Sequence, residues 1–138
     1  EVFSCCNSLK LCGSVSSKEV LKIQQDADVL VHVESFSKQS IFETKMSFST
    51  KLVDYMMAGK IIFAIGPAEV NSLETLRNYN LAVTACCDDE IKKQVLAIKN
   101  GEVDTENLTV SIYKYITTYR DKIVIQKGMF NRLSELIK

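Results

Sequence analysis

The feature that most narrows what this chain can fold into is an alternation of two kinds of segment. Short apolar or β-branched runs stand at Val2 to Cys5, Leu9 to Cys12, Val29 to Val33, Ile61 to Ile65 and Leu81 to Ala85. Each is too short for an independent helix, so each reads as a buried strand. Between and after them lie amphipathic stretches bearing helix start and stop signals. Ser16 followed by Glu19 is a capping box, which predicts a helix of about three turns through Val20, Ile23 and Ala27. A second helix is predicted from Ser49 to Ala58, closed by Gly59, a residue suited to the left-handed cap. A third starts near Ser72 and fades at Asn78 to Asn80; a fourth runs from Asp88 or Asp89 to Gly101, turning Ile91, Val95 and Ile98 inward. After Asp104, the spacing of Leu108, Ile112, Tyr115, Ile116 and Tyr119 predicts a long helix, separated at Gly128 from a last one carrying Leu133 and Ile137. Strands alternating with helices of this length imply crossover connections. The expected fold is therefore α/β and Rossmann-like: a parallel sheet with helices on both faces and further helices at the C-terminus.

A chain of 138 residues at 46% hydrophobic can bury one core, and no repeat, low-complexity tract or internal linker divides it, so residues 1–138 read as a single domain. With 17 basic and 17 acidic side chains there is no sequence-wide charge to draw nucleic acid or an anionic membrane surface. The longest apolar run, Ile61 to Ile65, falls far short of the roughly 20 residues a membrane span needs. Glu1-Val2-Phe3 shows no starting Met, basic n-region or cleavage site, which reads as a piece of a longer protein without a signal peptide. Cys5, Cys6, Cys12, Cys86 and Cys87 form an odd set with two adjacent pairs, poor geometry for bridging, and suggest reduced thiols in a cytoplasm. Without a C-x-x-C, and with His32 as the sole histidine, a closed zinc site lacks its ligands. His32 sits amid Val29, Leu30, Val31 and Val33, and reads as a packed strand residue rather than a catalytic base.

In sheets of this kind ligands lie beyond the carboxyl ends of the strands, which points to the segments after Cys12, Val33, Ile65 and Ala85. The longest of these, Glu34 to Phe48, is rich in Ser, Lys, Gln and Thr and reads as a functional loop. In the helix that follows, Leu52, Val53, Met56 and Met57 fall on one arc, expected to fill the core, while Thr50, Lys51 and Asp54 fall on another. Its first turn combines free backbone N–H groups, the positive end of the helix dipole, the hydroxyls of Ser49 and Thr50, and the Lys51 ammonium, the parts of an anion site. Asp54, one turn further, is placed to accept hydrogen bonds from the hydroxyls of a ribose. The same residues also admit a plainer reading, with Ser49 an N-cap and Lys51 paired to Asp54 on the surface. Two acidic clusters do not read as metal sites. Asp26-Ala27-Asp28 ends a helix and precedes a strand, and Asp88-Asp89-Glu90 begins a helix, where acids suit the dipole.

Three stretches together, Ala27-Asp28-Val29-Leu30-Val31-His32-Val33, Phe48-Ser49-Thr50-Lys51-Leu52-Val53-Asp54-Tyr55-Met56 and Gly59-Lys60-Ile61-Ile62, resemble the C-terminal, donor-binding domain of GT-B glycosyltransferases of the large retaining group that uses nucleotide sugars. The resemblance spans about Gly13 to Gly101. It implies the donor half of a two-domain enzyme of polysaccharide or glycoconjugate synthesis. The acceptor glycan or lipid-linked glycan would be held by a missing N-terminal domain, which would also carry any membrane contact. It further implies that Ser49, Thr50 and Lys51 bind the diphosphate, that Asp54 holds the donor ribose, and that the turn Gly13-Ser14-Val15-Ser16 packs against the nucleobase. No metal or other cofactor is implied. Many members carry another Glu eight positions before the ribose-binding acid, touching the donor sugar, where this chain has Met46; Glu34, at the end of its strand, is the candidate stand-in, beside its plainer reading as a solvated strand-end acid. A second expectation, from a different class, is an interaction module that kept the fold and lost the ligand.

Overall fold

A computed structural model describes residues 8–136. In chain order the elements are α1 (Ser17–Asp26), β1 (Val29–Val33), α2 (Lys38–Thr44), α3 (Thr50–Ala58), β2 (Ile61–Ile65), α4 (Asn71–Asn78), β3 (Val83–Ala85), α5 (Asp88–Lys99), α6 (Thr105–Tyr115), a π-helical turn (Ile116–Arg120) and α7 (Lys122–Leu136). The three strands form one parallel sheet in the order β1-β2-β3, with Val29 opposite Ile61 and Phe63 opposite Val83. Helices flank it, and the architecture is α/β and Rossmann-like.

The core forms where the β-branched and aliphatic runs meet the apolar arcs of the helices. Leu52 and Met56 of α3, Ile62 and Ala64 of β2, and Leu73 and Leu76 of α4 are all but removed from water. Each such aliphatic side chain contributes about 1.5–3 kcal/mol through the apolar surface it buries. Ile112 and Tyr115 bring α6 onto the same cluster. Three tyrosines then fasten the C-terminal helices to α4: the rings of Tyr79, Tyr115 and Tyr119 lie 5.0, 5.3 and 5.2 Å apart, pair by pair. The Tyr79 hydroxyl is pushed above its ordinary pKa, first by its hydrogen bond with Tyr119 and then by the neighbouring phenols.

Several expectations are corrected. Residues 9–12 form no strand, because no neighbouring strand pairs with them, and Leu9 and Leu11 stand exposed. The run Val2 to Cys5 lies outside the described residues. The last predicted strand shortens to Val83–Ala85, since Leu81 and Ala82 pack into the core ahead of the ladder. The segment Glu34 to Phe48 is no plain loop; it contains α2, capped by Ser37, whose side chain accepts from the Ser40 N–H. Gly128 does not divide the C-terminal helices. The chain turns instead at Asp121, which is extended (φ −65°, ψ 124°) and accepts hydrogen bonds from the Ile123 and Val124 N–H groups, capping α7. Met57 and Val95 point to solvent rather than inward, 68% and 46% exposed: the buried arc of α3 is that of Leu52 and Met56, and α5 buries no residue, Ile91 and Ile98 being half-buried. Coverage of the sheet is also incomplete at β1: Leu30 and His32 are buried, whereas Val31 and Val33 on the opposite side are exposed.

Candidate functional site

A cleft of about 530 Å³ opens at the carboxyl end of β1, against the start of α3. Its floor follows from strand geometry: alternate side chains share a face, so His32 and Glu34 project together. His32 is 8% exposed, and its Nε2 lies 2.9 Å from Glu34 Oε1. A carboxylate oxygen only accepts, so the Nε2–H donates. The ladder with β2 continues one residue past the strand, the Glu34 N–H donating to the Ile65 carbonyl at 2.8 Å, and this fixes the Glu34 backbone. Gly66, just beyond β2, leaves the space the Glu34 side chain crosses; a Cβ there would lie 2.7 Å from Glu34 Cβ.

One wall is the first turn of α3. Ser49 is its N-cap by backbone conformation, yet its hydroxyl makes no capping bond. The Ser49 N–H is instead taken by the hydroxyl of buried Ser72 on α4 at 3.3 Å, and the same hydroxyl donates to the Ser47 carbonyl at 3.4 Å. Ser72 thus pins the chain on which α3 begins, while the Ser49 hydroxyl has no hydrogen-bond partner among the described residues. The Leu52 N–H donates to the Ser49 carbonyl at 3.1 Å, which leaves the Thr50 and Lys51 amides of the first helical turn without a hydrogen-bond partner among the described residues. Lys51 has no acidic partner among the described residues, and no ion pair joins it to Asp54. Phe48 and Tyr55, with Val31 and Val33 of β1, supply the apolar lining. Outside the lining, the Arg120 guanidinium stacks on the Phe48 ring, 4.5 Å from its centroid, and donates to the Tyr115 hydroxyl at 3.4 Å. The π-helical turn sets Arg120 in that position.

Of the residues singled out in the sequence, Glu34, Ser49, Thr50 and Lys51 line this one cleft. Asp54 is exposed on α3 outside it, with Tyr55 facing in. Gly13, Ser14 and Val15 precede α1 and do not line it; Gly13 takes a left-handed conformation, φ 68°. Met46, at the place of the loop Glu, is 87% exposed. His32 was legible as a packed strand residue but not as a partner of Glu34, although two polar residues spaced two apart on a strand necessarily share a face. The acidic run after β3 behaves as a helix start, with Glu90 accepting from the Cys86 N–H at 2.7 Å. A smaller cavity, about 200 Å³, lies at the opposite, amino ends of β1 and β2, between Met56, Leu81 and Leu108. Its lining is mainly apolar, with Asp28, Lys60, Thr105 and Thr109 also bordering it.

Fold and cleft together define an α/β protein with a hydroxyl- and cation-bearing groove at a strand end, floored by a buried imidazole paired with a half-buried carboxylate. Family models, curated proteins and solved structures yield no match to the chain. Among the described residues no helix is long and apolar enough to cross a membrane, and no group of three or more His, Cys, Asp or Glu side chains is placed to hold a metal ion.

Proposed function

We propose that the cleft holds a nucleotide diphosphate sugar and that the chain is the donor-binding part of a glycosyltransferase, passing the sugar to a glycan or lipid-linked glycan bound by a further domain. The observation that carries this reading is the convergence on one cleft of the free Ser49 hydroxyl, Thr50, the unpaired Lys51 and the start of α3 at one wall, with Glu34 on the floor. The first group suits phosphate: preorganised N–H dipoles and one cation meet a diphosphate's charge without moving during reaction. The second suits sugar hydroxyls, because a carboxylate accepts several O–H bonds at once. In this reading α3 and Lys51 stabilise the departing diphosphate, and the described residues supply binding and orientation while the acceptor comes from across the cleft.

Titration with uridine or guanosine diphosphate tests it. Amide chemical shifts are expected to move at Glu34 and across Ser49, Thr50 and Lys51. Lys51→Ala is expected to weaken the nucleoside diphosphate by roughly tenfold while leaving the nucleoside nearly unaffected, because the lost interaction acts on phosphate charge. If no diphosphate moves any of these resonances, the donor reading is wrong, and a fold retained for protein interaction takes its place.

A further inference from the structure

We infer that His32 and Glu34 work as one unit: a carboxylate clamped by a buried imidazole, which receives ring hydroxyls of the ligand and so fixes which way round the ligand lies. This rests on the donor-site reading and adds to it a positioning residue, His32, and a direction. The pair is isolated from the rest of the polar network. Glu34 Oε1 is occupied by the His32 N–H at 2.9 Å, whereas Oε2 has no hydrogen-bond partner among the described residues. The side chains are 9% and 16% exposed, so the carboxylate is largely stripped of solvent yet still borders the cleft. Among the described residues only Gln24 Oε1 is buried without a partner, so Glu34 Oε2 is reached by water, and a ligand that brings O–H donors takes the place of that water.

Three contacts remove the freedom the carboxylate would otherwise lose on binding. Its backbone is tied to Ile65, its Cβ is seated against Gly66, and its head group is held by His32. The orientation follows from charge. A phosphate next to Glu34 would meet a like charge in a poorly solvated place, so the phosphates lie toward Lys51 and the start of α3 and the hydroxylated ring lies over β1. The ligand class is thus a phosphorylated polyol whose ring hydroxyls, rather than its phosphates, reach the strand end.

Calorimetry compares uridine diphosphate with uridine diphosphate glucose, and the guanosine pair likewise, on the full chain. In the wild type the hexose is expected to add affinity. His32→Phe keeps a ring but removes the donor, and is expected to lose that hexose-dependent gain, roughly tenfold, with diphosphate binding unchanged. His32→Gln restores an N–H and is expected to recover part of it, whereas Glu34→Gln should lose it as His32→Phe does. A His32→Phe protein that keeps the full hexose gain overturns the clamp and leaves the donor reading standing. A wild type that binds neither diphosphate removes the donor reading itself. Should the variants not fold, nitrogen-15 spectra of the wild-type imidazole decide the matter: an Nε2–H tautomer whose signal moves with the hexose compound but not with the diphosphate is expected, and an Nδ1–H tautomer overturns the clamp.

Discussion

A methyl group on residue 66 would sit 2.7 Å from Glu34 Cβ and 3.1 Å from Leu73 Cδ2, and Leu73 is itself fully buried. Glu34 Cβ is fixed to its backbone, and the Leu73 methyl, though the end of its side chain, is packed in the core, so Gly66→Ala must displace the end of β1 or repack Leu73 of α4. The expected cost is about 1–3 kcal/mol, the range for overfilling a packed site, read as a lowered urea midpoint with an unchanged slope. Asp54 poses the opposite case, exposed and outside the cleft. If ribose reaches it by extending along α3 past Lys51, Asp54→Asn should keep the helix and weaken nucleosides and nucleoside diphosphates alike by roughly tenfold. Unchanged calorimetric affinity would remove Asp54 from the site. Glu34, Ser49, Thr50 and Lys51 meet in the cleft because a strand end and a helix start are local features. The partners that hold them there, Ser72 and Gly66, belong to later elements whose approach only tertiary packing decides.

None of the residues of α1 is buried, so its stability rests heavily on its caps. Glu19 accepts from the Ser16 N–H at 2.8 Å and from the Ser16 hydroxyl at 2.6 Å. The hydroxyl bond, and after it the backbone bond, holds the Glu19 carboxyl below its ordinary pKa. A depressed folded value means that this stabilisation is complete above the ordinary Glu range and is lost as pH falls through the lowered value. Amide protection factors in the first turn of α1, corrected for the intrinsic exchange rate, should therefore fall on acidification below about pH 4.5, and Ser16→Ala, which removes the hydroxyl but keeps the backbone donor, should weaken that acid-dependent step. The same capping box was plain in the sequence, as were the Gly59 cap and the runs of β1 and β2, since each is written within a few residues. By contrast α2 offers little apolar periodicity, only Ile41 and Phe42, and Phe42 is 82% exposed. Gly128 misled for a related reason: glycine costs a helix only about 1 kcal/mol, and the turn is made by the Asp121 side chain instead.

Over the whole molecule, the sheet and the helices packed on it form one body, while the stretch between β1 and α3 is attached to it lightly. Helix α2 buries no residue, and the stretch is tied to α4 by the Asn71 N–H donating to the Lys45 carbonyl and by the bonds of Ser72. Both ends of this stretch are walls of the cleft, Glu34 at one and Phe48 and Ser49 at the other. Elements with few buried contacts open first, at a small fraction of the global unfolding free energy. Trypsin should accordingly nick the native protein after Lys38 and Lys45, both exposed, before it reaches Lys51 on α3, which buries Leu52 and Met56. Where opening is fast relative to cutting, the rate of nicking follows the population of the opened form. A molecule bridging Glu34 and Ser49 closes that population down, so the half-life of the intact band on a gel becomes a measure of occupancy that needs no label and no knowledge of the reaction. Compounds can be ranked by how long they keep this one stretch uncut.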